Sequence, residues 1–180
     1  NKIKTTLMLA LLGFLVSSSQ VAFAEPVAQA SPADWNWPLP THEWTLGVLP
    51  GVATINSTTG FSLQVAAAKK IINKGFAPDM TNQVFVEIQG GPFSASEGSA
   101  FLYSAHLRWD FVLNGDWTFY ALGGLGGSKT SNRAIGDNFQ LLPRFGVGAL
   151  LNLERQTHLP MDLRGELSRE LISIGAQFRF

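Results

Sequence analysis

The chain has no cysteine among its 180 residues. That excludes a disulfide scaffold, a thiolate metal site and a lipoprotein anchored through an N-terminal cysteine. Charge is scarce as well: 13 basic and 13 acidic residues make up 14% of the chain and cancel. No basic block stands out, so no nucleic-acid partner is expected, because phosphate neutralisation needs a positive surface. Long apolar runs are also missing. The run from Leu7 to Val16 is ten residues, whereas a membrane-spanning helix needs about twenty. What the chain has in quantity is glycine (18 residues), aromatics (11%) and apolar residues (46%). That mixture is too apolar for disorder and too glycine-rich for a helical protein, and it points to β structure.

Residues 1–24 read as a secretory signal. Lys2 and Lys4 precede the short apolar run, and Ala22-Phe23-Ala24 offers small residues for cleavage before Glu25. Residues 25–42 hold four of the nine prolines and no periodicity, and read as a Pro-rich arm. Residues 43–180 are the expected folded domain. An exported protein of this kind points to a bacterial envelope.

From residue 43 onward the chain alternates apolar and polar. Phe101, Tyr103, Ala105, Leu107, Trp109 and Phe111 fall on one face, and Ser104, His106, Arg108 and Asp110 on the other. A strict period of two over eleven residues is a strand signal. Asn114-Gly115-Asp116 then supplies hairpin-turn chemistry. The same reading gives eight strands near 43–54, 60–69, 82–92, 101–111, 117–125, 139–153, 160–168 and 171–180.

Glu43, Glu87, His106, Arg108, Asp110, Arg144, Asp162, Arg164, Glu166 and Arg179 lie on the polar faces. Lysine is nearly absent there. A solvent-facing sheet would favour lysine, whereas arginine forms bidentate bonds to carboxylates and suits charges that pair away from bulk water. Gly47, Gly124, Gly126, Gly146, Gly148 and Gly175 share those faces and leave room for long side chains. The opposite face carries leucine, valine and phenylalanine on every strand. Exposed to water it would far exceed the few hundred Å² of apolar patch that a soluble monomer shows. A bilayer is the natural solvent, and a closed barrel is the only sheet that spans one. Aromatics gather at both strand ends: Trp44, Trp109, Phe111, Trp117, Phe178 and Phe180 at one, and Phe61, Phe93, Phe101, Tyr103 and Phe139 at the other.

The last strand, Ile172-Ser-Ile-Gly-Ala-Gln-Phe-Arg-Phe180, alternates to a final phenylalanine. It resembles the C-terminal assembly signal of bacterial outer-membrane barrels, with Ile174, Phe178 and Phe180 as its outward residues. Size and strand count resemble the small eight-stranded OmpA/OmpX/opacity-like group. The resemblance implies insertion by the barrel assembly machinery, periplasmic termini and no cofactor. The expected architecture is an all-β, eight-stranded antiparallel up-and-down transmembrane β-barrel in the bacterial outer membrane. Its expected partners are outer-membrane lipid and lipopolysaccharide, with side-by-side homo-oligomers through the apolar wall left open.

Candidate chemistry is thin. Ser104, His106 and Asp110 share one face of strand 4 and are the candidate catalytic residues. Outer-membrane enzymes that modify lipid A acyl chains resemble this fold and use such residues. Side chains two apart on one strand are roughly 6–7 Å from each other, long for proton transfer. His42 and His158 show no metal-ligand spacing. Pro50, Pro92 and Pro143 fall within or near strands and cannot donate to the ladder, so each is expected to mark a bulge or a gap. The leading functional reading is a structural envelope barrel with a charge-paired, largely occluded lumen. A lipid-modifying enzyme and a soluble lipocalin-like carrier are the alternatives.

Overall fold

The computed structural model describes residues 40–77, 80–130 and 140–180. The expected signal, most of the arm, Pro78 and Phe139 lie outside these residues. Eight antiparallel strands form a closed barrel in sequence order. They are β1 (Trp44–Ile55), β2 (Thr58–Ile72), β3 (Asn82–Ala95), β4 (Gly98–Val112), β5 (Trp117–Thr130), β6 (Gln140–Asn152), β7 (Met161–Ser168) and β8 (Leu171–Arg179). β8 returns to β1 through pairs from Thr45↔Arg179 to Ala53↔Leu171. The end holding Trp44, Trp117 and Phe180 is called basal below, and the other apical.

Most strands run past their expected bounds, chiefly at the apical end, because local turn chemistry permits it. The β1–β2 turn is only Asn56-Ser57, with φ of 43° and 73°. Both central residues of a type I′ hairpin turn need positive φ, which asparagine tolerates best after glycine. At the basal β4–β5 turn, Asn114 Oδ1 accepts from the N–H groups of Asp116 (2.9 Å) and Trp117 (2.8 Å). The β6–β7 connection holds a short helix, α1 (Glu154–Thr157), that the alternation pattern does not show.

The longer strands change one aromatic assignment. Phe93 was expected in the apical girdle, but β3 continues to Ala95 and the alternation turns Phe93 inward, where it is buried. It joins Ala53, Ile55, Ala100 and Leu171 in an apolar cluster inside the apical end, with Ala95 and Leu102 against it. Phe61 and Phe101 remain on the outer wall.

The prolines mark gaps, one of the two outcomes expected for them. The β2·β3 pairing shifts register between Lys70 and Ile72, and among the described residues no such shift falls at a proline. Pro50 lies where β1·β8 pairing lapses between Val48↔Ala176 and Gly51↔Ser173 in unbroken register. Pro92 coincides with the same kind of lapse in β2·β3, between Ser62↔Phe93 and Val65↔Gly90. Pro143 sits where β6 runs past the last β6·β7 pair, Gly146↔Ser168. A residue without an N–H interrupts a ladder without adding a residue to it, so gaps replace bulges.

The faces separate as alternation requires. Arg108, Arg164 and Glu87 have no exposed surface, whereas Leu107, Ile174 and Phe145 are more than half exposed. A lipocalin-like carrier would have the reverse arrangement. An apolar exterior around a closed, charged interior is the wall of a transmembrane barrel of the bacterial outer-membrane type.

This register makes a direct forecast. Leu107→Arg places a charge on the lipid face and should cost about 2–4 kcal/mol near the midplane. Single cysteines at Leu107, Ala149 and Ile174 should resist a water-soluble maleimide in native membranes. Rapid labelling of all three would overturn the register.

Candidate functional site

The interior is organised around Glu87 on β3. Its Oε2 accepts from Arg108 (2.5 Å) and Arg164 (2.8 Å). Its Oε1 accepts from Arg164 (2.6 Å) and Gln89 (2.8 Å), and lies 3.1 Å from His106 Nε2. Glu166 on β7 is the second anchor, accepting from Arg144 at 2.7 Å, Arg164 at 2.7 Å and Gln89 at 2.8 Å. Arg108 grips Asp110 with a two-point fork of 2.8 and 3.0 Å. Such bidentate pairing is what a guanidinium supplies and an ammonium does not.

Several contributors escaped sequence reading. Tyr120 accepts from Arg164 Nε and donates to the Gly165 carbonyl, both at 3.0 Å. Its ring lies under both Arg164 and Arg108. Gln177 Oε1 accepts from Arg108 (2.9 Å) and Arg164 (3.1 Å). Phe85 faces inward beneath the Arg108 guanidinium, 4.6 Å from ring centroid to Cζ. Strand parity places all of them on the polar face, but none carries the formal charge that marks the ionic members of the network. Two of the glycines do leave room: a Cβ on Gly148 would stand 2.2 Å from the Tyr120 ring, and one on Gly126 3.0 Å from Arg144 Cδ.

Glu43 departs from the expected network. It precedes β1, is exposed, and so escapes the alternation that turns the other acids inward. Without it, Arg108, Arg144, Arg164 and Arg179 face Glu87, Asp110, Asp162 and Glu166 inside the barrel. Arg179 belongs to a basal subgroup. It donates to Asn152 (2.8 Å) and Glu154 (2.9 Å), with its Nε 3.4 Å from Asp162.

The candidate catalytic residues do not form a relay. Ser104 Oγ accepts from Arg144 at 2.9 Å. His106 turns Nε2 to Glu87, and its buried Nδ1 has no hydrogen-bond partner among the described residues. Asp110 is held by Arg108. Each is engaged by a different group, whereas a nucleophile, base and acid must bond in series. Among the described residues, no three His, Asp or Glu side chains converge as metal ligands. Ile174, Phe178 and Phe180 lie exposed on the outer wall.

A basal cavity of about 760 Å³ opens below the network, bordered by Asp110, Asp162, Arg179 and the end of the arm. The Pro40 carbonyl accepts from Lys70 Nζ (2.8 Å) and Gln83 Nε2 (3.1 Å). The His42 ring stacks on Phe85 with centroids 6.0 Å apart. Burial, and then the positive charges of Arg179, Lys70 and Arg108, lower the His42 pKa from its ordinary 6.5 to about 4.

No family model matches the chain, and no curated protein matches it. Among solved structures, it is similar to the attachment invasion locus protein Ail of Yersinia pestis. A crystal structure of that protein with the heparin analogue sucrose octasulfate has a TM-score of 0.49 and 15% identity, covering 77% of this chain and 97% of that one. Its backbone structure in a phospholipid nanodisc gives 0.46, 15%, 77% and 99%. Another crystal structure gives 0.47, 13%, 77% and 97%.

Three outcomes follow from the network and the arm. Arg164→Leu should leave buried carboxylate charge unpaired and destabilise the barrel by about 3–5 kcal/mol, read as a lower denaturant midpoint. Glu43→Gln, at the exposed rim, should stay within about 0.5 kcal/mol of the parent. For His42, the docked ring disfavours the proton relative to a free chain. Docking of the arm should therefore be at full strength above pH 6.5 and weaken as pH falls toward 4. NMR titration of the His42 ring would check this, and an ordinary histidine midpoint would place the ring in water.

Proposed function

We propose that this protein is a structural barrel of the outer membrane whose lumen is closed to ion flow. Its basal end would face the periplasm. The observation that carries the proposal is the sharing of Glu87 among Arg108, Arg164, Gln89 and His106, which spans the interior from β3 and β4 across to β7. An eight-stranded interior is just wide enough for side chains to fill. Charges neutralised by bonded partners have little left to offer a hydrated ion. The apical apolar cluster of Ile55, Phe93 and Leu171 adds a second barrier that offers an ion no ligands. Outer-membrane lipid and lipopolysaccharide would contact the wall, and the barrel assembly machinery would insert it.

Purified protein in planar bilayers should give no steady porin-sized conductance. A stable, large conductance would overturn the closed-lumen proposal and mean that the charges line water. For the enzymatic alternative, His106→Ala should leave the lipid A acyl pattern of expressing cells unchanged by mass spectrometry. Loss of an acyl modification in that variant would overturn the structural reading in favour of catalysis.

A further inference from the structure

The barrel wall is not equally tall all round. β7 ends at Ser168 and β8 begins at Leu171, so their hairpin turns at Arg169-Glu170. On one side, β6 begins at Gln140, while its first partner on β7 is reached only at Gly146↔Ser168. Residues 140–145 of β6 therefore have no β7 partner beside them. On the other side, β1 continues past Ala53↔Leu171 to Ile55, with Thr54 N–H donating to the Glu170 carbonyl at 2.8 Å. Among the described residues, the result is a gap over the hairpin, two strands wide, or roughly 10 Å at the usual strand spacing.

The gap lies within the apolar belt, not above it. Leu167 and Ile172, which flank the turn, are both exposed on the outer wall. Beside the gap, Leu141, Leu142 and Phe145 are 51, 38 and 69% exposed. Alternation places Leu142 on the inner face with Arg144, and a completed wall would cover it. Among the described residues, no β7 residue stands beside it. Pro143 in the same segment has no N–H to leave unpaired along this edge, and proline there also blocks the docking of another strand. On the β1 side the interior is closed by the cluster of Ala53, Ile55, Phe93 and Leu171.

We propose that this gap seats one acyl chain of an outer-leaflet lipid. The apolar strip on β6 is continuous with the lipid-facing wall, so the occupant nearest at hand is hydrocarbon. A chain laid along Leu142 would cover the apolar surface that β7 leaves bare. Arg169 in the floor turn is exposed, and its long side chain can run up the gap toward an anionic headgroup. The inference rests on the membrane placement of the barrel but not on a closed lumen or a structural role.

The absence of native cysteine makes the test clean, since a single introduced cysteine carries the only label. Leu142→Cys, spin-labelled and reconstituted in phospholipid vesicles containing lipopolysaccharide, should collide with oxygen in preference to a water-soluble nickel chelate. Phe145→Cys on the outer wall reports membrane placement itself, and Ala100→Cys reports a buried interior site. If the Phe145 label behaves as lipid-facing, preference for the nickel chelate at 142 means a water-filled gap and overturns the proposal. Low access to both reagents means that protein covers the gap, either residues 131–139 or a second copy, and overturns it equally. If the Phe145 label itself sits in water, the membrane placement fails first. Folding of each variant is read from heat-modifiable gel mobility. Should Leu142→Cys not fold, Gln140→Cys on the same face reads the same gap.

Discussion

The carboxylate of Glu87 is the group on which the interior depends. A carboxylate without exposed surface is costly unless both oxygens are satisfied. Here two arginines, a glutamine and a histidine surround it. Those partners sit on β3, β4 and β7, so the bonds cross the barrel instead of following the wall. Backbone ladders fix neighbouring strands to each other; Glu87 fixes strands that never pair. The arrangement is also unforgiving. Arg164 serves Glu87, Glu166 and Gln177 together, so its contacts cannot be lost one at a time.

Much of this was legible because two rules act on every strand at once. The period of two fixes which side chains share a face, and the bilayer reverses the usual meaning of the faces. Arg108, Arg164, Glu87 and Glu166 were readable as interior from parity and from the scarcity of lysine. What was not legible came from the ends of strands and from groups without charge. Phe93 changed sides because β3 runs three residues beyond its expected end. Glu43 fell outside the network because it lies just before the first paired residue. Tyr120, Gln89 and Gln177 carry no formal charge, yet they complete bonds that the ions cannot complete alone. The bond partners themselves, such as His106 with Glu87 instead of Asp110, depend on inter-strand register, which local sequence does not encode.

The interior is layered. A basal cavity reaches up to Asp110 and Asp162, the ion-paired waist lies above it, and the apolar cluster sits inside the apical end. The layers differ in how they respond to change. The waist is held by directional bonds and is sensitive to a single lost partner. The apical cluster is held by non-directional burial and tolerates substitutions that conserve volume. The basal mouth, with the His42 ring stacked near its entrance, is where pH acts, since protonation there competes with burial.

The three prolines tie the wall to this interior. Within a bilayer, a ladder break normally exposes an N–H and a C=O to hydrocarbon, which is expensive. Proline removes the N–H, so a break at Pro50 or Pro92 leaves less polar backbone uncovered than a break elsewhere would. The lapses loosen β1 from β8 and β2 from β3. The apical cluster draws Ala53 and Ile55 from β1, Phe93 from β3 and Leu171 from β8 into one contact. β1 and β8, whose edge bonding is interrupted at Pro50, are thus rejoined through the barrel's interior. β6 beside Pro143 is not rejoined in this way, because its neighbour β7 stops short. Among the described residues, the β6 edge is the ladder lapse that leaves an inward-facing leucine, Leu142, exposed.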